Sequence, residues 1–218
     1  MKKYSAVLFD LDGTLLDTGS GIKKAVCKSL DDIKYEIPSD ELLSKMIGPP
    51  LKNGFIDVIG IPEELANVAV DNYRYYYENE TMLDAKIYHN ILQLLELIKI
   101  KEMPMGVATS KPEKFAVPIL EHFNMSRFFE NITGSSLDGP QKSKSELIIE
   151  CARKMGISNL QELIYIGDRG SDISAANSLN VDSVAVYWGY GSREELNLEK
   201  ATYYVDTVDD LIDLMNEE

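Results

Sequence analysis

The fold is decided by the segment Tyr4-Ser5-Ala6-Val7-Leu8-Phe9-Asp10-Leu11-Asp12-Gly13-Thr14. Its first half is an apolar run typical of a buried strand, and two aspartates follow where the run ends. Two carboxylates at that position are energetically costly unless a cation binds between them. The pattern is therefore the one expected of a nucleophilic carboxylate beside a metal ion and a second carboxylate that acts as acid and base. The glycine permits a tight turn and the threonine can hydrogen-bond within it. An ordinary Asp-Gly turn would give the same pattern, so the remaining sequence has to decide.

Length and composition indicate a globular protein. The chain has 218 residues, of which 44% are hydrophobic and 27% are charged, enough for one large domain or a domain with a smaller insert. The formal net charge of −14 argues against a nucleic-acid polymer as partner, because a polyanion would be repelled. A small anionic substrate is still compatible, since a metal ion and local lysines can reverse the field inside a pocket.

No membrane partner and no oligomer is indicated, and we expect a cytoplasmic protein. No apolar stretch is long enough to cross a membrane, and the first residues show no secretory cleavage pattern. Cys27 and Cys151 are the two cysteines, without metal-ligand spacing. Two free thiols in a reducing compartment are the expected state.

From about Tyr88 onward, helical and strand patterns alternate. Such alternation predicts a parallel sheet covered by helices on both faces. The strands are expected at 105–109, 128–133, 163–166 and 183–187, and the helices at 91–99, 113–123, 145–155, 173–179 and 208–215. Residues 21–80 instead read as three or four amphipathic helical segments without a convincing strand, punctuated by glycine and proline.

Polar residues follow several of the expected strands. Thr109 and Ser110 follow the second strand, and Asp168 with Asp172 follows a third. Active sites in parallel sheets lie at the carboxyl ends of the strands, so we expect these side chains to meet the first two aspartates.

The sequence resembles the haloacid dehalogenase-like phosphohydrolases over essentially its whole length. Four motifs occur in the family's order: Asp10-Leu11-Asp12-Gly13-Thr14, then Thr109, then Lys142, then Gly167-Asp168-Arg169-Gly170-Ser171-Asp172. Ile47-Gly48-Pro49-Pro50-Leu51 and Trp188-Gly189-Tyr190-Gly191 resemble loops of the phosphoglycolate phosphatase-like branch.

The resemblance implies an α/β fold: a Rossmann-like, doubly wound parallel sheet core with an inserted all-helical cap domain. The core hydrolase domain is expected at residues 1–16 and 84–218, and the cap at 17–83, with hinges at Met82–Tyr88 and after Leu15.

The resemblance also implies roles for individual residues. Asp10 would attack phosphorus to form an aspartyl-phosphate, and Asp12 would protonate the leaving alcohol and then deprotonate water. Thr109 would bind a phosphoryl oxygen through its hydroxyl. Mg²⁺ is the implied cofactor, with ligands from Asp10, Asp12 (by its backbone carbonyl), Asp168 and Asp172. Asp172 could act through water, or could simply cap a helix.

The sequence pattern identifies the active-site lysine and the substrate-contacting residues less clearly than it identifies the aspartates. Lys142 is taken as the active-site lysine by counting back from Gly156, with Lys144 as its rival. Substrate contacts are expected from Gly13, Ser110 and Lys52, although Ser110 stands where the family often has asparagine. Lys52 could equally be a solvated lysine of the cap.

The predicted function is Mg²⁺-dependent hydrolysis of small phosphomonoesters, of the phosphoglycolate or nucleoside monophosphate type. A sugar phosphomutase similar to β-phosphoglucomutase is the nearest alternative, because it uses the same two aspartates. A catalytically inactive binding or regulatory protein on this fold is an alternative of another class. A dehalogenase is disfavoured, because that branch lacks the second aspartate.

Overall fold

The computed structural model describes residues 4–48, 50–140 and 142–216. The chain divides into two compact units, one formed by Met1–Asp17 with Ile87–Glu218 and the other by Thr18–Lys86. These limits fall within three residues of the expected core and cap boundaries.

The first unit is built on a parallel sheet. In the described part of the chain it has six strands in the order β5-β4-β1-β6-β7-β8, and each neighbouring pair is parallel. The strands are β1 (Ala6–Phe9), β4 (Met105–Pro112), β5 (Asn131–Ser135), β6 (Leu163–Gly167), β7 (Asp182–Val186) and β8 (Tyr203–Val205).

Both faces of this sheet are covered. All four residues of β1 are fully buried, and successive strand residues point to opposite faces. Ala6 and Leu8 pack with Leu147, Ile148 and Cys151 of one helix, so the other two β1 residues are buried on the opposite face. The helices of this unit are α5 (Ile91–Ile100), α6 (Glu113–His122), α7 (Lys144–Lys154), α8 (Gly170–Ser178), α9 (Arg193–Glu199) and α10 (Val208–Asn216). The predicted Rossmann-like α/β architecture is confirmed.

The strand order positions the site. β1 lies between β4 and β6, with Phe9 in register with Val107 on one side and Ile166 on the other. The chain segments that follow these three strands therefore emerge side by side at the carboxyl edge of the sheet.

The second unit is helical. It contains α1 (Gly19–Asp32), α2 (Asp40–Ser44), α3 (Leu51–Asn53) and α4 (Glu63–Tyr76), with π-helical stretches at Gly54–Ile59 and Tyr77–Thr81. The Ser29 hydroxyl of α1 donates to the Ala69 carbonyl of α4 at 2.6 Å, and Tyr73 and Tyr77 stack in parallel. Phe55, Ala66 and Ala69 are fully buried. Within the Ile47–Leu51 loop, Pro49 lies outside the described residues.

Some elements differ from expectation. β4 continues to Pro112 rather than ending at Thr109, and α9 and β8 were not expected. β2 (Leu16–Asp17) and β3 (Lys86–Ile87) form a separate two-stranded sheet at the two unit boundaries in the sequence. None of the helices in the described ranges is both long and apolar enough to cross a membrane.

Candidate active site

Three buried carboxylates lie at the carboxyl edge of the sheet. Asp10 follows β1, Asp168 follows β6, and Asp172 lies in the first turn of α8. One oxygen from each can be chosen so that all three lie within 4.8 Å of one another. We call these three residues the acidic cluster.

Lys144 is the cation of the acidic cluster. Its Nζ lies 2.9 Å from Asp10 Oδ1 and 2.9 Å from Asp172 Oδ1, and its side chain is 8% exposed. The lysine is the first residue of α7, which Ser143 and Glu146 begin with a capping box. The helix start therefore fixes the direction from which the ammonium enters the cluster.

Asp168 is held in place by its neighbours. Its Oδ1 accepts the Thr14 hydroxyl at 3.1 Å, and its Oδ2 accepts the Tyr190 backbone N–H at 2.8 Å. Gly13 has φ +86°, and a Cβ there would lie 2.2 Å from Asp168 Oδ2. A Cβ on Gly189 would lie 2.3 Å from the Asp168 Cβ. The two glycines thus let the backbone approach this carboxylate closely.

The loop that resembles the phosphoglycolate phosphatase-like branch makes two further contacts. Trp188 Nε1 donates to the Thr14 carbonyl at 3.1 Å, and the Tyr190 hydroxyl donates to Asp17 at 2.7 Å. Together with the Tyr190 N–H bond to Asp168, these contacts connect the turn after β1 to the end of β6 by hydrogen bonds.

Burial and mutual repulsion dominate the electrostatics of the acidic cluster. Burial, then Asp172 and Asp10, raise the pKa of Asp168. Burial also raises the pKa of Asp10, against the opposing effect of Lys144. For Lys144, burial is outweighed by the charges of Asp10 and Asp172, so its pKa is raised. These shifts favour a positively charged Lys144 and oppose ionisation of the Asp10 and Asp168 carboxyls.

The acidic cluster fits a divalent cation. Among the described side chains, three carboxylates in the cluster face one ammonium, so full ionisation leaves an excess of two negative charges. Oxygen-only ligands and this charge excess suit a hard cation such as Mg²⁺. Such an ion would remove the repulsion that raises the pKa of Asp168.

Asp12 lies beside the acidic cluster and has its own lysine. The Lys111 Nζ lies 2.8 Å and 3.0 Å from the two Asp12 carboxylate oxygens. The Lys111 side chain is 5% exposed and that of Asp12 is 18% exposed. We call this the Asp12–Lys111 pair.

The end of β4 places both Thr109 and Lys111. The pairing of β4 with β5 shifts register between Thr109 and Pro112, and such irregularities redirect side chains near active sites. Thr109 is buried, and its Oγ1 accepts the Lys111 N–H at 3.2 Å. Ser110 is exposed. The substrate contacts expected from Thr109 and Ser110 stay predictions.

The assignment of Lys142 as active-site lysine is wrong. Its side chain is 40% exposed and pairs with Glu150 of α7. Lys142 precedes the Ser143 cap, whereas Lys144 begins the helix and enters the acidic cluster. The expected helix at 145–155 begins within one residue of α7, but counting back from Gly156 did not use the Ser143-Lys144-Ser145-Glu146 capping signature, which places Lys144 in the first turn.

The other predicted site residues have mixed outcomes. The Gly13 N–H donates to the Leu16 carbonyl within the turn, so its predicted substrate contact stays a prediction. Lys52 is exposed in α3 of the helical unit, and its role also stays a prediction. Asp172 does cap a helix, since its Oδ2 accepts the Arg169 N–H, while its Oδ1 belongs to the acidic cluster.

Neither Lys111 nor the hydrogen bonds that Thr14 and Tyr190 donate to Asp168 were predicted from the sequence. Lys111 follows Thr109 by two residues, so period-two alternation in an extended strand would have placed both on one face. Nothing in the local sequence around Tyr190 shows that its backbone N–H reaches Asp168.

Comparison with known proteins agrees with this fold. Residues 7–186 match the model of the haloacid dehalogenase-like hydrolase family. A crystal structure of a predicted phosphatase from Clostridium acetobutylicum superposes with a TM-score of 0.91 and 40% identity, over 100% of both chains. The chain belongs to the haloacid dehalogenase-like hydrolase family.

Curated relatives span most of the chain. It is 36% identical over 202 residues to a 5'-nucleotidase of Pseudomonas aeruginosa, covering 93% of this chain and 91% of that protein. It is 31% identical to the tyrosine-protein kinase PtkA of Mycobacterium tuberculosis, covering 94% of this chain and 70% of that protein. A phosphoglycolate phosphatase of Shigella dysenteriae is 25% identical, covering 94% and 90%. The family model, the nucleotidase and phosphatase relatives and the solved phosphatase structure confirm the predicted family and enzyme class, a phosphoric monoester hydrolase.

Proposed function

We propose that the protein is a Mg²⁺-dependent phosphatase of small phosphomonoesters that acts through an aspartyl-phosphate on Asp10. The observation that supports this most strongly is the acidic cluster with Lys144, beside an independently paired Asp12. Nucleoside 5'-monophosphates are the first substrates to test, because a relative of 36% identity is named a 5'-nucleotidase.

Asp10 is the proposed nucleophile. Its carboxylate lies at the carboxyl end of β1 and is held by Lys144 at 2.9 Å. An approaching phosphate would be repelled by this charge, by about 4 kcal/mol for unit charges 4 Å apart at an effective dielectric of 20. Lys144 offsets this repulsion from within the chain, and it binds phosphate oxygens as a point charge.

Asp12 is the proposed acid and base. As the Asp10 oxygen bonds to phosphorus, the bond to the leaving oxygen breaks, and Asp12 gives its proton to that oxygen. Asp12 then takes a proton from the water that displaces Asp10 from phosphorus. Both aspartates return to their starting state, so the balance is one ester and one water consumed and one alcohol and one phosphate released.

Mg²⁺ would be held by the carboxylates of Asp10 and Asp168 and by the Asp12 backbone carbonyl, with Asp172 alongside. When bound, the ion supplies positive charge that favours phosphate binding and stabilises the charge that develops during transfer. Thr14 and the Tyr190 N–H orient the Asp168 carboxylate for this role.

The helical unit, residues 18–86, is proposed to act as a cap that excludes water and selects the substrate, with Lys52 and Ser110 as candidate contacts. Two cysteines, both free, accord with a cytoplasmic location.

The proposal is tested by phosphate release from a panel of phosphomonoesters with and without Mg²⁺. The panel contains nucleoside 5'-monophosphates, phosphoglycolate and sugar phosphates, and Asp10→Asn is run in parallel. We expect Mg²⁺-dependent release from the wild type alone. Isomerisation of a sugar phosphate without net release would favour a mutase, and absence of both activities and of Mg²⁺ binding would favour an inactive binding protein.

A further inference from the structure

Lys111 is a buried basic residue with no part in the transfer steps proposed for Asp10, Asp12 and Lys144. Its side chain is 5% exposed, and a buried lysine is rare unless it is paired. It lies in the part of β4 where the register against β5 shifts, between Thr109 and Pro112. Its backbone is held there by the hydrogen bond from its N–H to Thr109 Oγ1.

The contact between Lys111 and Asp12 involves both carboxylate oxygens, at 2.8 Å and 3.0 Å. An ammonium shared by both oxygens restricts rotation of the carboxylate about its last bond. A carboxylate has about four lone-pair positions, so a contact with each oxygen does not by itself prevent one oxygen from carrying a proton. The Asp12 side chain remains 18% exposed, which is consistent with such access.

Lys111 also stabilises the state that proton donation produces. When Asp12 gives its proton to the leaving oxygen, it becomes a carboxylate. The adjacent ammonium compensates that negative charge, in a site where little water is available to do so. The benefit grows with the amount of proton transfer that the leaving group requires.

We propose that Lys111 is a positioning residue for Asp12, orienting its carboxylate and stabilising the charge left on it when the leaving oxygen is protonated. The inference rests on the proposed function, since it assigns a helper to the acid of that reaction. It predicts that Lys111 matters most for esters whose leaving group is a poor one.

The test compares kcat/KM over esters that differ in leaving group and carry no second charge. Phenyl phosphates with ring substituents, p-nitrophenyl phosphate and a simple alkyl phosphate form the series. The quantity kcat/KM reports the steps up to formation of the aspartyl-phosphate, so the later hydrolysis step does not enter it.

In Lys111→Met, we expect kcat/KM to fall roughly 10- to 100-fold for the alkyl phosphate and less than about 3-fold for p-nitrophenyl phosphate. Lys111→Arg keeps the charge and should recover most of the loss. Lys111→Gln, which keeps the length and a hydrogen-bond donor, carries the same test if the methionine variant does not fold. Lys114→Met, at an exposed position of α6 three residues along the chain, is the matched control and should leave the series unchanged.

Two results would overturn the inference while leaving the proposed function intact. An equal loss on every ester would show that Lys111 is structural or binds the transferred phosphate. A loss that appears only when a substrate with a second anionic group is added to the series would make Lys111 a substrate-binding residue. Absence of phosphate release by the wild type, both from every ester of the series and from the panel of nucleoside 5'-monophosphates, phosphoglycolate and sugar phosphates, would contradict the proposed function itself.

Discussion

Two lysine–carboxylate groups lie side by side at the carboxyl edge of the sheet, and they differ in charge balance. In the acidic cluster, Lys144 pairs with Asp10 and Asp172, and burial together with the charges of these two carboxylates raises the pKa of Asp168. In the Asp12–Lys111 pair, one carboxylate meets one ammonium. Two aspartates only two residues apart can therefore serve different chemistry. The acidic cluster, with its excess of negative charge, suits a bound cation and a nucleophile. The Asp12–Lys111 pair, in which one carboxylate meets one ammonium, suits a group that carries a proton.

The largest expected effect is the fall in turnover when the nucleophile Asp10 is replaced. Asp10→Asn should lower kcat by at least about 10⁴-fold, because an amide oxygen does not replace the carboxylate in forming the aspartyl-phosphate. The measurement is steady-state phosphate release at saturating Mg²⁺. A variant with more than a tenth of wild-type turnover would remove Asp10 from the mechanism.

Lys144→Met tests the lysine of the acidic cluster. Without the ammonium, we expect kcat/KM to fall by roughly 10²- to 10³-fold. The metal-free protein should also lose about 3 to 5 kcal/mol of unfolding free energy, since buried carboxylates lose their partner. Steady-state kinetics and urea unfolding measure the two effects.

Lys142→Met is the matched control for that variant. This exposed lysine should change activity by less than about 2-fold and stability by less than about 0.5 kcal/mol. Similar losses in the two lysine variants would contradict the assignment of Lys144.

Gly13→Ala tests how tightly the acidic cluster is packed. Both the left-handed backbone and the contact of a new Cβ with Asp168 oppose alanine, so unfolding free energy should fall by about 2 to 4 kcal/mol. Gly156 has φ +75° and open space around a Cβ, so Gly156→Ala should cost only about 1 kcal/mol. Equal costs in the two variants, measured by urea unfolding, would mean that Asp168 is not closely packed against Gly13.

Asp168→Asn tests the excess of negative charge in the acidic cluster through the pH dependence of the unfolding free energy. Burial raises the pKa of Asp168 in the folded state, so the metal-free folded protein binds more protons than the unfolded chain. Stability of the metal-free wild type should therefore fall as pH rises above the ordinary carboxyl range. At neutral pH, Asp168→Asn should be about 1 to 3 kcal/mol more stable than the wild type without metal, and should lose Mg²⁺ binding.

The measurement for this variant is urea unfolding of the metal-free proteins at several pH values, with Mg²⁺ binding followed by titration calorimetry. Asp213→Asn, an exposed change in α10, is the control and should leave both unchanged. A metal-free Asp168→Asn protein that is less stable than the wild type at neutral pH would show that the acidic cluster carries no charge excess.

Most of the core could be predicted from sequence because its signals are local. A continuous apolar run gives a strand buried on both faces, and the polar residues after 6–9 and 163–167 mark the carboxyl edge. α9 and β8 were missed because α9 has one buried residue and β8 has three residues, so neither has strong periodicity.

The lysines were harder to predict because their roles depend on where elements begin and bend. Lys142 and Lys144 differ by two positions, and the capping box of α7 decides between them. Alternation along β4 places Lys111 on the same face as Thr109, but its pairing with Asp12 joins two segments far apart in the chain and depends on tertiary structure. The contacts of Asp168 with Thr14 and Tyr190 join segments that are far apart in the chain.

The most direct test of the account is to look for phosphate on Asp10 during turnover. Wild type, Asp12→Asn and Asp10→Asn are mixed with phosphate-labelled substrate and Mg²⁺, quenched in acid within milliseconds, and the protein-bound label is mapped. We expect hydroxylamine-labile label on Asp10 in the wild type, more of it in Asp12→Asn with an activated aryl phosphate, and none in Asp10→Asn. Label on another residue, or equal label in Asp10→Asn, would contradict it.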